Sequence, residues 1–144
     1  MENNQPLANT AISPSPPGAR KHCAVAIVAP QWLQEGLAVV IKTIPRVLLV
    51  ACTGSIPTLL SLDLERTPDL VVLAVDAQAV KAGDQIRQVK FVYPQARYLV
   101  LIQEPAQSAS VRTAGADETL LQGASAEQFC AAVSRLVQRD QVGS

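Results

Sequence analysis

Short apolar runs alternate with longer amphipathic stretches from Cys23 to the end of the chain. Five of these runs predict β-strands, because nearly continuous apolar character is typical of parallel strands covered on both faces. The predicted strands are Cys23–Val28, residues 47–51, residues 70–75, Arg97–Ile102 and residues 119–121. A helix is predicted after each of them.

The first predicted helix has the clearest pattern. Five of its apolar residues share one face at helical spacing, and Pro45 ends it: Leu33, Leu37, Val40, Ile41 and Ile44. Ser55 can cap the second helix, which is expected to bury Leu59, Leu60 and either Leu62 or Leu64.

The later helices carry similar signals. The third is predicted to open at Gly83 and to turn Phe91 or Val92 inward. Ser125 and Gln128 form a capping-box pair at the start of the last helix. Five strands that alternate with five helices predict right-handed βαβ crossovers. The fold class is therefore α/β, a doubly wound five-stranded parallel sheet of flavodoxin-like order 2-1-3-4-5.

Composition limits the classes of function. Lys plus Arg and Asp plus Glu number 12 each, so the zero net charge favours neither nucleic acid nor an anionic membrane as a partner. The apolar runs are much shorter than the roughly 20 residues that span a bilayer, and the first residues lack a signal-peptide pattern. We expect a cytoplasmic protein that contacts no membrane and makes no direct contact with nucleic acid.

Reactive side chains are scarce. Cys23, Cys52 and Cys130 lack CxxC or metal-ligand spacing, and their apolar neighbours indicate reduced thiols that serve as small core side chains. The single histidine, His22, has no evident partner for a catalytic set. We therefore predict no metal, no cofactor and no enzymatic activity.

Four segments resemble the receiver domains of LuxR/NarL-type response regulators. Residues 31–37 (QWLQEGL) are similar to the start of their first helix, and residues 67–73 (TPDLVVL) to their third strand. Residues 93–101 (YPQARYLVL) resemble their fourth strand, and residues 114–122 (AGADETLLQ) the AGADGYLLK segment around the fifth. The resemblance covers roughly residues 23–138 and implies a CheY-like receiver fold.

The resemblance also implies where the phosphorylation residues belong. Receivers hold Mg²⁺ with two carboxylates after strand one, take the phosphoryl group on an Asp after strand three, and use a Thr or Ser after strand four and a Lys after strand five. In this sequence these positions hold Val28 and Ala29, Ala74, Ile102, and Gln122, respectively. Val28 and Ala29 supply no metal oxygen, Ala74 no nucleophile, Ile102 no hydroxyl and Gln122 no charge. The resemblance thus implies a degenerate pseudo-receiver.

Asp76 is the one alternative phosphoacceptor, because it lies two residues beyond Ala74 and strand periodicity would keep it on a similar face. It would still lack the acid pair and the Lys, and we interpret it as a loop residue or a cap.

The domain limits follow from composition and resemblance together. Residues 1–20 hold Pro6, Pro14, Pro16 and Pro17 among polar residues, and they predict a disordered arm with too little apolar surface to offset its ordering entropy. Residues 21–140 form the receiver-like domain, and residues 141–144 a tail.

A receiver without phosphorylation residues is expected to act by binding. We expect a phosphorylation-independent interaction module in bacterial signalling or transcriptional control, either alone or within a longer LuxR-type regulator. Its partner would be a protein, a second copy included. Trp32, Gly36 and Val39 lie together away from the core stripe of the first helix, and they form the candidate docking patch.

Two alternatives stay open. Trp32 can instead fold over the empty phosphorylation pocket and fill it. The chain can also be a sensor of a small ligand or redox cofactor, with Val28, Ala29, Ala74 and Ile102 making the vacated pocket apolar.

Overall fold

The computed structural model describes residues 23–64, 66–75 and 79–142, with the side chains of residues 79, 80 and 139–142 left undescribed. The predicted arm at residues 1–20 and Asp76 lie outside the described residues, as do residues 143 and 144 of the predicted tail.

Five strands and five α-helices alternate along the described chain. The strands are β1 (Cys23–Val28), β2 (Val47–Thr53), β3 (Leu70–Ala74), β4 (Arg97–Ile102) and β5 (Glu118–Leu121). The helices are α1 (Gln31–Thr43), α2 (Ile56–Ser61), α3 (Ala79–Val92), α4 (Ser108–Ala114) and α5 (Ala126–Val142), with a short 3-10 helix, Pro105–Gln107, before α4.

The strands form one sheet in the order β2-β1-β3-β4-β5, and every pairing is parallel. The predicted flavodoxin-like order 2-1-3-4-5 is confirmed. The direction in which successive strands are added to the sheet changes at β1 and β3: β2 lies on one side of β1, and β3, β4 and β5 lie on the other. Open α/β sheets place ligands in the crevice outside the carboxyl ends of the two strands at such a point, here β1 and β3.

The sheet separates two apolar layers. Val25 and Ile27 of β1 face a cluster formed with α1 and α5, whereas Ala26 and Val28 face a cluster formed with α2, α3 and α4. This alternation follows from the two-residue period of a strand. It explains why β1 and β3 are apolar almost throughout.

The predicted helix caps are present. The Ser55 hydroxyl accepts a hydrogen bond from the backbone N–H of Thr58 at 3.3 Å. The backbone N–H of Ser125 donates to the Gln128 side chain at 3.0 Å, and the N–H of Gln128 donates to the Ser125 hydroxyl at 3.1 Å. Both helices therefore begin where their capping residues indicate.

The predictions for α3 were partly wrong. The helix begins at Ala79 rather than at Gly83, because the alanines at its start favour continued helix. Phe91 or Val92 was expected to face inward, but these side chains are 88% and 46% exposed. The buried stripe ends at Val89, and two further residues turn a helix by about 200°, which directs Phe91 to solvent.

One cysteine prediction needs a correction, whereas one of the two alternatives for α2, Leu64, is right. Cys23 is buried and Cys130 half-buried, but Cys52 is exposed because β2 is an edge strand. Leu62 is exposed, whereas Leu64 packs against the apolar cluster formed with α2, α3 and α4. Among the described residues, no helix is long and apolar enough to cross a membrane.

Candidate functional site

A cavity of about 400 Å³ opens at the carboxyl edge of the sheet, between the ends of β1 and β3, where the strand order changes direction. Its apolar floor is formed by the ends of these strands: Val28, Ala29, Ala74 and Val75. The α2 cap and α3 contribute to its walls. This is the position at which the receiver resemblance places the phosphorylation site.

Four of the five predicted positions line this cavity, namely Val28, Ala29, Ala74 and Gln122. Ile102 does not. It is 3% exposed and packs with Val100 in the core cluster on the α3 and α4 side of the sheet. Alternation along β4 turns Ile102 to that side, and Gln103 reaches the cavity in its place.

Gln122 ties the ends of two strands together. Its side-chain Nε2 donates to the carbonyl oxygens of Val75 and Leu101, each at 3.2 Å. Gln103 Nε2 also donates to the Val75 carbonyl, at 3.4 Å. An amide nitrogen carries two protons, so the two bonds of Gln122 use both. Gln122 stands where receivers have a lysine, and its side-chain amide connects the ends of β3 and β4 through these hydrogen bonds.

The rim of the cavity is polar and uncharged. Besides Gln122, the carboxamides of Gln85, Gln88 and Gln103 line it, together with Ser55. No ionisable side chain of the described residues is in the lining. Nor do the described residues bring three His, Cys, Asp or Glu side chains together as a possible metal site. Three of the four residues predicted to make the crevice apolar, Val28, Ala29 and Ala74, are in its floor, whereas its rim is polar.

A glutamine that the sequence interpretation missed fixes the turn after β4. The Gln107 side chain is 5% exposed, and its Oε1 accepts hydrogen bonds from the backbone N–H groups of Gln103 and Glu104, at 2.9 and 3.1 Å. Glu104 followed three residues later by Gln107 is a capping-box spacing. The spacing of Glu104 and Gln107 is the signal by which the sequence could have indicated this turn. The hydrogen bonds of Gln107 hold the turn that carries Gln103 to the cavity.

Cys52 is connected through Gln34 to Ala29, a residue of the cavity floor. Its thiol donates to Gln34 Oε1 at 3.7 Å, and Gln34 Nε2 donates to the Ala29 carbonyl at 2.8 Å. Burial raises the pKa of the Cys52 thiol more than Lys42 lowers it. Because the thiolate is the reactive form, this environment does not activate Cys52 toward redox chemistry.

Trp32 lies outside the cavity. It is 70% exposed and absent from the cavity lining, so the alternative in which it fills the pocket is wrong. Val39 is 63% exposed, and no atom lies within 4 Å of the position that a Cβ on Gly36 would take. The structure therefore brings the three predicted patch residues together on the outer face of α1.

An apolar groove adjoins this face. We call it the α1–α5 groove; it has a volume of about 160 Å³, and its lining includes Leu33, Gly36, Val40, Leu121 and Phe129. Gly36 thus borders both the groove and the outer face of α1. Leu121, at 43% exposure, forms part of the opposite wall.

Sequence comparison gives no relative: no protein-family model matches the chain, and no curated protein matches it. Solved structures are similar in fold. The non-phosphorylated receiver domain of the stress response regulator RcsB from Escherichia coli superposes with a TM-score of 0.70 at 15% identity, covering 81% of this chain and 94% of that one.

Two further solved structures are similar in fold. A CheY-like receiver domain protein from Methanospirillum hungatei JF-1 gives a TM-score of 0.71 at 8% identity, covering 85% of this chain and 99% of that one. A DNA-binding response regulator of the LuxR family from Staphylococcus aureus gives 0.64 at 14% identity, covering 79% and 98%. At these identities the similarity defines the fold: this chain has the flavodoxin-like fold of response-regulator receiver domains.

Proposed function

We propose that this chain is a pseudo-receiver, an interaction module of a bacterial signalling or transcriptional pathway that works without phosphorylation. One observation carries the proposal: the cavity at the receiver phosphorylation position is lined by Val28, Ala29, Ala74 and Gln122, with no ionisable side chain among its described lining residues.

Phosphoryl transfer depends on electrostatic stabilisation of the charge that develops in the transition state. Alanine at position 74 offers no nucleophile, and Val28 and Ala29 offer no oxygen ligand for Mg²⁺. The two protons of Gln122 Nε2 are already donated to strand-end carbonyls. Signalling by the receiver's usual chemistry would require these groups, so we assign the domain a binding role and no enzymatic activity.

The surface of α1 supports a protein partner. An exposed tryptophan is a common energetic centre of protein interfaces, and Trp32 and Val39 are both exposed on this face, at 70% and 63%. With zero net charge, we propose a cytoplasmic protein partner, without direct contact to nucleic acid or a membrane by this domain.

The test exposes the full chain to Mg²⁺ with beryllofluoride or acetyl phosphate. Backbone NMR shifts and intact mass are expected to stay unchanged. The matched gain-of-function control is the variant Val28→Asp/Ala29→Asp/Ala74→Asp/Gln122→Lys, which restores the acid pair, the nucleophile and the cation and is expected to respond. A saturable response of the unmodified chain that Asp76→Asn abolishes would refute the proposal.

A second function is favoured by the cavity itself. An opening of about 400 Å³ with an apolar floor and a carboxamide rim has the size and chemistry of a small-molecule site. It suits an uncharged ligand that both donates and accepts hydrogen bonds, or a quinone. This sensor role would be established if a quinone raises the melting temperature of the unmodified chain but not that of the variant Ala74→Leu. In that variant the larger side chain fills the floor of the cavity.

A further inference from the structure

The outer face of α1 carries two apolar side chains, two charged side chains and one glycine. We define it by five exposed residues: Trp32, Glu35, Gly36, Val39 and Lys42. At 100° per residue, Trp32, Gly36 and Val39 fall within about 60° of one another. Glu35 and Lys42 lie on one flank of this stripe, seven residues and therefore about 10 Å apart along the helix axis.

Neither charge of this face forms an ion pair with another described residue. The described ion pairs join Arg66 to Asp69, Arg87 to Asp84, and Arg135 to Glu118. None of them includes Glu35 or Lys42. Within the described part of the chain, this face therefore carries one anion and one cation outside any ion pair, separated along α1 and on the same flank.

We propose that the outer face of α1 binds the same face of a second copy of this chain, with the two α1 helices antiparallel about a two-fold axis beside Val39. The inference rests on the proposed function, because it names the protein partner of the pseudo-receiver. The interface is isologous, so each contact occurs twice.

Symmetry sets the register. A two-fold axis perpendicular to both helices reverses their direction and keeps the same flank of each helix on the same side. Glu35 of one copy then faces Lys42 of the second, and the reverse pair forms at the other end. The midpoint between positions 35 and 42 lies beside position 39, so the two Val39 side chains meet near the axis.

The remaining positions fit this register. Gly36 faces the gap between Val39 and Lys42 of the second copy, and it leaves open space there. Trp32 lies opposite the end of the second α1, where Thr43 and Pro45 are exposed. A parallel two-fold arrangement would instead place the two charged flanks on opposite sides of the interface, where neither Glu35 faces a Lys42, so it lacks this charge complementarity. The charge order thus selects an antiparallel second copy.

The contact is small. A helix of 13 residues is about 20 Å long, which places the buried area at the low end for specific interfaces. We therefore expect a reversible dimer with a dissociation constant in roughly the micromolar range.

Sedimentation equilibrium of the full chain tests the proposal. The unmodified chain is expected to dimerise, and Trp32→Ala to weaken the dimer by about tenfold or more. Phe91→Ala is the matched control, since Phe91 is 88% exposed but lies at the end of α3, and it is expected to leave the association unchanged. Trp32 is the only tryptophan, so its emission should shift to the blue as the dimer forms.

Charge exchange tests the register. Glu35→Lys and Lys42→Glu are each expected to weaken the dimer by roughly threefold, and the double variant E35K/K42E to restore it. Val39→Cys should form a disulfide-linked dimer faster than Val92→Cys, which lies on α3 and is also exposed. A dimer that the double exchange does not restore would overturn the antiparallel arrangement.

The outcomes separate this inference from the proposed function. A chain that stays monomeric at hundreds of micromolar and does not respond to beryllofluoride overturns the inference and leaves the pseudo-receiver proposal intact. A dimer that forms only after treatment with acetyl phosphate overturns the pseudo-receiver proposal. A dimer weakened equally by Phe91→Ala and Trp32→Ala overturns the assignment to α1.

Discussion

The carboxylate of Asp69 accepts a hydrogen bond from the backbone N–H of Ala24 at 2.9 Å, while the N–H of Asp69 donates to the Ala24 carbonyl at 2.7 Å. Asp117 repeats this arrangement: its carboxylate accepts from the N–H of Tyr98 at 2.7 Å, and its N–H donates to the Tyr98 carbonyl at 2.9 Å. Each aspartate directly precedes a strand. Both therefore extend parallel pairing at the amino edge of the sheet.

Asp69→Ala is expected to lower the free energy of unfolding by about 1–3 kcal/mol, because the Ala24 N–H loses its acceptor in a partly buried position. Urea denaturation measures the change. Asp63→Ala is the control, since Asp63 is exposed, and its effect should stay within about 0.5 kcal/mol. Equal losses in the two variants would contradict a specific role for Asp69.

Gln122→Ala is expected to lower the free energy of unfolding by about 1–2 kcal/mol, because the carbonyls of Val75 and Leu101 each lose a donor. Gln88→Ala is the matched control. Gln88 lines the same cavity but is exposed and makes no described hydrogen bond. If the two variants unfold at the same urea concentration, Gln122 does not brace the strand ends.

Gly115→Ala is expected to destabilise the protein by about 1–2 kcal/mol. Gly115 has a φ of 127°, and an added Cβ would lie 2.6 Å from Lys90 Cδ. In a Lys90→Ala background the steric part of the loss should disappear and the backbone part remain, which a double-mutant cycle resolves. Gly123→Ala, where no atom lies within 4 Å of the added Cβ, should cost much less.

Much of the fold was predictable because burial imposes local patterns. The apolar runs of β1 and β3 follow from coverage of the sheet on both faces. The Ser125 and Gln128 cap follows from local spacing. The start of α3 and the outward turn of Phe91 were missed, because the sequence pattern does not show where a helix leaves the sheet that it covers.

The site was only partly predictable. Matching the motifs located Val28, Ala29, Ala74 and Gln122 at one cavity, since parallel strands end at a common edge. The motifs did not show that Ile102 turns into the core. Nor did they show that Gln122 donates to strand-end carbonyls, because hydrogen bonds between distant segments leave no periodic signal in the sequence.

Stability at alkaline pH should depend on Tyr98. The side chain is fully buried, and its hydroxyl donates to the Tyr93 carbonyl at 2.8 Å. Burial, reinforced by Tyr93 and Asp117, raises the pKa of Tyr98 far above its ordinary value of 10.0. Below about pH 10 the phenol is neutral in both the folded and the unfolded state, and the full stability is present.

As the pH rises above about 10, the unfolded chain loses the Tyr98 proton while the folded chain keeps it. The free energy of unfolding should then fall, by up to about 1.4 kcal/mol per pH unit from this group. Urea denaturation of the unmodified chain and of Tyr98→Phe, between pH 8 and pH 11, measures the difference. Other titrating groups are common to both proteins and cancel in the comparison. The Tyr98→Phe protein should be less stable at pH 8 and should lose less stability with rising pH, and parallel pH profiles for the two proteins would show that Tyr98 does not titrate differently on folding.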